Sequence, residues 1–477
     1  MTRAVVVGSG PNGLAAAITL AAAGLEVEVL ERARHLGGGT RSVHATVDGV
    51  LHDECSGFHP LAVDTAFSRA FDLTEDGLRW RWPEVQYSHP LDDGRGGAVW
   101  RDLDRTVGEL GAAGPSYRRL FGPLTERFDR IVNEFLQPMV HVPRAPLALA
   151  RFGLYSLMPA TVLARRWRSD TAARALFAGV AAHAFRPFGS PLSSAIGVAL
   201  GTAAHRFGWP VAEGGSGAIG SAMISRLERL GGTVRTGVDV TDRSMLAGAD
   251  VVMLDTSPTA ALRILGDALP ARVARAYRRF QYGPGAFQVA LAVEGGIPWT
   301  HEPSRSAGTV HVGGTFEEIA EAERLTARGQ MPERPFILLG QQSGADPARR
   351  RDDVHPIDAY AHVPAGFTGD ATEAILAQIE RFAPGTRDRI VAMSVRSTEA
   401  IVRDNPNYVG GDIVSGANTP RQLIFRPRIA LDPYATGVTG VYLCSAATAP
   451  GAGAHGMGGW NAARSALRRL GVDTIAT

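Results

Sequence analysis

Six residues near the start of the chain, Gly8-Ser9-Gly10-Pro11-Asn12-Gly13, have the composition and spacing to hold a pyrophosphate. In such a turn the first glycine permits a tight bend, the second lets a phosphate approach the backbone, and the third lets a helix pack closely on a strand. A carboxylate, Glu31, follows eighteen residues after Gly13, where it can accept hydrogen bonds from ribose hydroxyls. Just beyond stand Arg32 and a second glycine-rich turn, Gly37-Gly38-Gly39-Thr40-Arg41. Near the far end, Ser445 and Ala446 lead into Pro450-Gly451-Ala452-Gly453-Ala454-His455-Gly456-Met457, a third loop of the same character.

These residues need particular elements to hold them. Ala4–Val7 is short, apolar and β-branched, as a strand buried on both faces should be. Leu14–Ala23 is alanine-rich and reads as a helix closed by Gly24, and Glu26–Leu30 reads as a second strand ending at the acid. A glycine triplet alone is weak; strand, triplet, helix, strand and terminal acid together specify dinucleotide binding. The positive end of the helix then faces the phosphates. Val441–Cys444 and the helix from Asn461 repeat that logic at the end of the chain.

The middle of the sequence contains another Gly-x-Gly-x-x-Gly, at Gly215–Gly220. No buried strand precedes it, and no acid ends the strand that follows. It reads as a tight loop into the helix Ser221–Leu230, followed by strands at Thr233–Val240 and Ala249–Asp255. Strands at Ala286–Val293, Thr309–Gly313, Pro335–Leu339 and Asp358–Val363, with helices at Thr315–Arg328 and Asp370–Phe382, suggest an antiparallel-rich α+β unit. Residues 61–135 read as helical and mixed, with an aromatic cluster at Trp80, Trp82, Tyr87 and Trp100. Pro143–Trp167 is apolar and flanked by arginines; membrane-surface contact, the lining of an apolar tunnel, and core or homo-oligomer packing all fit it. Asp412, in a turn-dense stretch, either braces its loop or acts in catalysis.

Composition narrows the function classes. At 477 residues the chain can build two or three domains. A net charge of +2 implies no general attraction to nucleic acid. There is no lysine at all, which removes every lysine-based mechanism. Cys55 and Cys444 form no CxxC pair and no metal-ligand spacing. A strand beginning by Ala4 leaves no room for a signal peptide, and no apolar run reaches the roughly 20 residues of a membrane span. The expected setting is cytoplasmic, with or without membrane association.

The first forty residues, Gly214–Asp255, Asn405–Pro427 and Val441–Asn461 together resemble the phytoene-desaturase-like branch of FAD-dependent oxidoreductases, within the amine-oxidase superfamily. The resemblance departs from the family pattern at Ser445, Ala452 and Trp460. It implies FAD as cofactor, bound through Gly8, Gly10, Pro11, Asn12, Gly13, Glu31, Arg32, Gly38, Gly39, Thr40, Arg41, Val238, Ser445, Ala446, Gly456 and Met457. The loop amides and positive end of the last helix would face the flavin pyrimidine edge. His52, Cys55 and His59 would lie near the ring, His59, Tyr360 and Trp460 by the substrate, and His455 would be the nearest polar group, a candidate proton relay. The implied fold is α/β, a Rossmann-type FAD-binding domain of glutathione-reductase-2-like type (1–75, 211–270, 405–477) with an interleaved α+β substrate domain (76–210, 271–404) that includes a helical portion. The expected activity is dehydrogenation or desaturation of an apolar, isoprenoid- or lipid-like small molecule, with hydride passing to flavin N5 and an unidentified electron acceptor downstream. An amine oxidase, a redox-neutral FAD isomerase and a flavin-binding interaction scaffold are the alternatives.

Overall fold

The computed structural model describes residues 2–472. The chain opens with β1 (Arg3–Val7), α1 (Pro11–Ala22) and β2 (Glu26–Glu31). It leaves for a hairpin, β3 (Val85–Pro90) and β4 (Gly96–Trp100), and a helical stretch that includes α2 (Phe128–Phe135), α3 (Pro146–Ser156), α4 (Thr171–Ala182) and α5 (Ala195–Arg206). It returns with α6 (Gly217–Arg229), β5 (Thr233–Thr236) and β6 (Val251–Leu254). A second excursion contributes β7 (Gly285–Glu294), β8 (Ala307–Val312), β9 (Ile337–Gly340), β10 (Val354–Val363) and β11 (Ile390–Arg396). The last elements are β12 (Val441–Leu443) and α7 (Met457–Leu470).

Two sheets result. The first is fully parallel, in the order β12-β6-β1-β2-β5, and draws on three separate parts of the chain. Its centre is buried on both faces, as the β-branched run of β1 requires. Ala4 and Val6 join the core that contains α1 and α7, whereas Val5 and Val7 join a second core with Leu254, Ile264 and Leu443. This is a Rossmann-type α/β fold. The second sheet runs β11-β7-β10-β9-β8-β3-β4, and five of its six pairings are antiparallel. The hairpin β3–β4 corrects the helical reading of residues 61–135. All six residues of β3 are buried, so the run carries no alternation to read. The Gly215–Gly220 stretch leads into α6 as expected, but the helix already begins at Gly217, so the loop is shorter than the sequence suggested; only the two-residue strand Val211–Ala212 precedes it.

Buried ions brace the loops between the sheets. Arg349 is fully buried and pairs with Asp53 at 2.5 Å and Asp346 at 3.1 Å, while its third nitrogen donates to the carbonyl of Ala212. Asp412 is a brace of the same kind: it accepts the backbone N–H groups of Gly283, Val414 and Gly416.

Among the described residues no single helix is long and apolar enough to cross a membrane. α3 and the segment Ala160–Trp167 form a pair bent by 93°. Their outer face carries Leu147 (81% exposed), Leu154 (57%) and Leu157 (59%).

The tightest helix contact is between α1 and α7. The alanine-rich interior of α1 lets the helices approach until a Cβ at Gly459 would overlap the carbonyl oxygen of Asn12. Gly459→Ala should therefore cost about 3 kcal/mol, the upper end for overpacking. Gly108→Ala, in a helix with open space around the position, should be neutral or stabilising by up to about 1 kcal/mol. Thermal melts of both variants check this; equal melting temperatures would mean that the two helices part at no cost.

Candidate functional site

The turn between β1 and α1 is built against the end of β6. Gly8 has φ +102°, and a Cβ there would sit 2.9 Å from the carbonyl oxygen of Asp255. A Cβ at Gly10 would lie 2.5 Å from Asp255 Oδ2, and one at Gly13 would overlap the carbonyl of Gly8. α1 begins with Pro11 at its first position, its N-cap residue Gly10 offers no side-chain cap, and Asp255 takes only the Gly13 N–H. Its positive end therefore stays open to the space in front of the turn. Ser9 is the hub beside it. Its N–H and hydroxyl both donate to Glu31 Oε2 (2.8 and 2.7 Å), and its Oγ accepts the N–H of Gly37 (3.1 Å). Glu31 Oε1 accepts from Ala33 N–H, and the Glu31 carbonyl accepts from Val238 N–H. One hydroxyl thus couples the pyrophosphate turn, the strand-end acid and the second glycine turn.

A cavity of about 680 Å³ extends from this turn. Gly8, Gly10, Pro11, Asn12, Glu31, Arg32, Gly38, Gly39, Thr40, Arg41 and Val238 line one end of it. Arg41 pairs with Glu54 at 2.7 Å, and Thr40 Oγ1 donates to the carbonyl of Gly37. Ser445, Ala446 and Pro450–His455 line the middle, with Cys55, whose sulfur accepts a hydrogen bond from the Tyr408 hydroxyl. The far part is an apolar chamber walled by α2, α3 and α5 through Phe135, Leu149, Phe152, Ile196 and Leu200. Tyr360 and His183 face into it. His183 Nε2 shares a 2.9 Å hydrogen bond with His311 Nε2. Tyr360 and His362 share a face of β10, but His362 turns to Glu323 at 2.6 Å, under the stacked ring of Phe185.

Six expected site residues lie outside the cavity wall. Gly13 is one, because its N–H is taken by Asp255 and its Cα packs under Gly8. Gly456 and Met457 are two more. The amides expected to face a ligand are used internally: Met457 N–H donates to His455 Nδ1 (3.1 Å), and Gly458 and Gly459 donate to Asn12 Oδ1. Trp460 is fully buried, edge-on to Phe67 and Phe71. His59 is held by Ser216 Oγ at 2.9 Å beside Trp80, and His52 by Asp358 at 2.7 Å. In each case a stronger partner on the core side outcompetes the cavity. His455 does line the cavity; with Nδ1 accepting from Met457, its proton sits on Nε2.

Asp255 is the residue that sequence reasoning passed over. It ends β6, next to β1 in the sheet, and its Oδ2 accepts the Gly13 N–H at 2.9 Å. An acid closing the third parallel strand was the available clue. Burial raises its pKa to about 7, and Glu31 pushes the same way. The histidines move the other way: burial lowers His59, His89, His205 and His455 to about 4, and His183 to about 3.

The fold and this cavity define a Rossmann-type α/β protein whose glycine-rich first turn opens on a large cavity. Comparison with known proteins agrees. Residues 6–72 match the NAD(P)-binding Rossmann-like domain family. The chain is 27% identical over 252 residues to the rat pyridine nucleotide-disulfide oxidoreductase domain-containing protein 2; the matched stretch covers 49% of this chain and 40% of the rat protein. Among solved structures it is similar to an oxidoreductase from Methanosarcina mazei (TM-score 0.64, 15% identity, covering 98% of this chain and 100% of that one). It is also similar to a putrescine oxidase bound to putrescine (0.61, 19%, 98% and 99%) and to cyclohexylamine oxidase from Brevibacterium oxydans (0.57, 16%, 98% and 99%).

The buried histidines set the acid limit of the fold. Each with a folded pKa near 4 refuses a proton that the unfolded chain, near 6.5, accepts as pH falls. Its contribution is complete above pH 6.5 and is lost toward pH 4, by about 2 kcal/mol per histidine at pH 5. Asp255 opposes this, since its raised pKa favours the folded state as pH drops below 7. Four histidines outweigh it. The melting temperature should fall by roughly 5 °C from pH 7.5 to pH 5, and a flat or rising profile would contradict the neutral-histidine assignment.

Proposed function

We propose that the chain is an FAD-dependent oxidoreductase that dehydrogenates an apolar substrate. The observation that carries this is the continuity of one cavity from the dinucleotide turn to the apolar chamber. The residues present fit the cofactor. Gly8, Gly10 and Asn12 bring backbone of the α1 terminus to the cavity, where a diphosphate would lie. Glu31 would take the adenosine ribose, Val238 the adenine side, and Thr40 and Arg41 the second phosphate approach. Ser445, Ala446 and Pro450–His455 would lie along the ring. When bound, FAD supplies a hydride acceptor at N5.

The chain's own part is orientation and exclusion of water. The chamber walls are largely apolar, and its histidines and tyrosine are neutral: His183 and His455 by burial, Tyr360 because burial raises its pKa. No group there is poised for proton abstraction, which suits loss of hydride from C–H better than acid–base chemistry. The acids that line the cavity, Glu31, Asp239, Asp255 and Asp404, cluster around the nucleotide turn and β2. The chamber therefore offers no carboxylate to an ammonium group. That places an amine substrate second, despite the fold shared with the two amine oxidases. Reconstituted protein should bind FAD and bleach anaerobically with long-chain alkenes or polyenes but not with alkylamines. The reverse pattern would establish the amine reading, an unchanged product mass the isomerase, and a flavin that nothing reduces the scaffold. Gly10→Ala should weaken FAD binding at least ~10-fold, since the new Cβ would press on Asp255 Oδ2 and force the turn out of place.

An apolar substrate reaches such a chamber most directly from a lipid surface. α3 fits that route. Leu149, Phe152 and Gly153 line the cavity, Leu147 and Leu154 face solvent, and Leu157 does both. Arg144, Arg151, Arg165, Arg166 and Arg168 surround the stripe, and Arg166 lies over the ring of Tyr155 at the bend. This is the pattern of an interfacial helix on an anionic membrane. The protein should sediment with phosphatidylglycerol vesicles and less with phosphatidylcholine. Leu147→Ser/Leu154→Ser should lose most of that binding without altering the melt; undiminished binding would remove α3 as the docking element.

A further inference from the structure

One buried cation in the cavity wall has no anionic partner. Arg426 is 4% exposed and lines the cavity between Ile424 and the loop Pro450–His455. Its hydrogen bonds all go to neutral oxygens. Nε–H donates to Gln422 O at 3.1 Å and Nη1 to Ala446 O at 3.3 Å. Nη2 donates to Gly416 O at 3.4 Å and to Asn418 Oδ1 at 3.2 Å. A guanidinium carries five N–H bonds, so one on Nη1 is left without an acceptor. Gly451, with φ +118°, keeps the space beside that nitrogen clear, since a Cβ there would come within 2.6 Å of it. The acid whose field reaches Arg426 is Asp412, and its oxygens are occupied by three backbone N–H groups. No ion pair joins the two among the described residues. Burial lowers the Arg426 pKa only to about 10, so the group stays charged at neutral pH.

Keeping such a charge out of water without a counter-ion is costly. All the other cavity arginines bear on the nucleotide end: Arg32 bonds the carbonyls of Arg403 and Asp404, Arg41 pairs with Glu54, and Arg263 with Asp239. Arg426 instead sits where the C-terminal loop meets the apolar chamber.

We propose that Arg426 is the anion-recognition residue of this cavity, its free Nη1–H taking an oxygen of a planar, delocalised oxyanion. Two groups bring that chemistry. One is a carboxylate at the end of an apolar substrate, which does not depend on the cofactor assignment. The other is the pyrimidine edge of reduced flavin, which rests on it. Calorimetric titration with dodecanoate and with dodecan-1-ol, without and with FAD, reads the first source. The wild-type protein should bind the carboxylate at least 10-fold more tightly than the alcohol, Arg426→Gln should bring the ratio close to one, and Arg426→Lys should keep most of it. Sulfite titration of the FAD-loaded protein, followed by loss of flavin absorbance, reads the second. Its dissociation constant should rise at least 10-fold in Arg426→Gln whatever the carboxylate result. A protein that takes up no FAD defeats the cofactor reading but leaves the dodecanoate titration to decide this one. Wild-type protein with no preference for the carboxylate, together with sulfite affinity unchanged in a folded Arg426→Gln, would make Arg426 a loop clasp only; if Arg426→Gln does not fold, the same sulfite comparison is made with the neutral Arg426→Met.

Discussion

Asn12 ties the first helix to the last across 446 residues of chain. Its side-chain oxygen accepts the amides of Gly458 and Gly459, and its backbone oxygen lies against Gly459. A helix N-terminus has N–H groups that its own turns cannot satisfy. Two such termini converge at this site, and they are treated differently. That of α7 is satisfied from within, by Asn12 and by His455 Nδ1. That of α1 has no cap from its own N-cap residue Gly10; Asp255 takes the Gly13 N–H, and the rest of the terminus opens on the cavity. The last helix therefore acts as a buttress, and the field available to a ligand comes mainly from the first.

Asp255 adds a third chain segment to the same point. Its carboxylate sits against Gly10 and takes the Gly13 amide, so it competes for the donors that would otherwise meet a phosphate. A full negative charge there would repel a diphosphate. Burial moves the group to about pH 7, where a large fraction is already neutral, and an approaching anion favours the neutral form further. The residue thus fixes the turn by packing and hydrogen bonding at little electrostatic cost to the ligand.

The local part of this arrangement was legible in the sequence, because turn glycines, an uncapped helix start and a strand-end acid are short-range features. The parallel strands were legible for the same reason, as brief β-branched runs with glycine punctuation. What failed was any inference about which side of a wall a side chain takes. His59 and Trp460 stand within five residues of cavity residues in sequence, yet Ser216, Phe67 and Phe71, from distant segments, hold them in the core. The second sheet was legible only in part. β3 is buried at every position and so shows no alternation, and in β11 the alternation is inverted, with the larger apolar residues Val391, Met393 and Val395 facing outward. Asp255 and Arg426 were invisible as a pair of opposites. One carboxylate softened by burial and one guanidinium left without a counter-ion are facts of tertiary placement.

The charge pattern along the cavity follows from that placement. At the nucleotide end, acids and arginines are interleaved and mostly paired, so the local field is set by α1 and by whatever anion binds there. Beyond Ala446 the wall turns apolar, its histidines are neutral, and the lone cation is Arg426 among the described lining residues. In a low-dielectric chamber an isolated charge acts over a longer range than a paired surface one. Orientation of a long apolar molecule would then be decided at one end, by a single guanidinium, while the walls fix only its depth. Selection by shape along the chain and by charge at its tip needs no acid–base residue beside the reacting carbon. That is the residue type the chamber lacks.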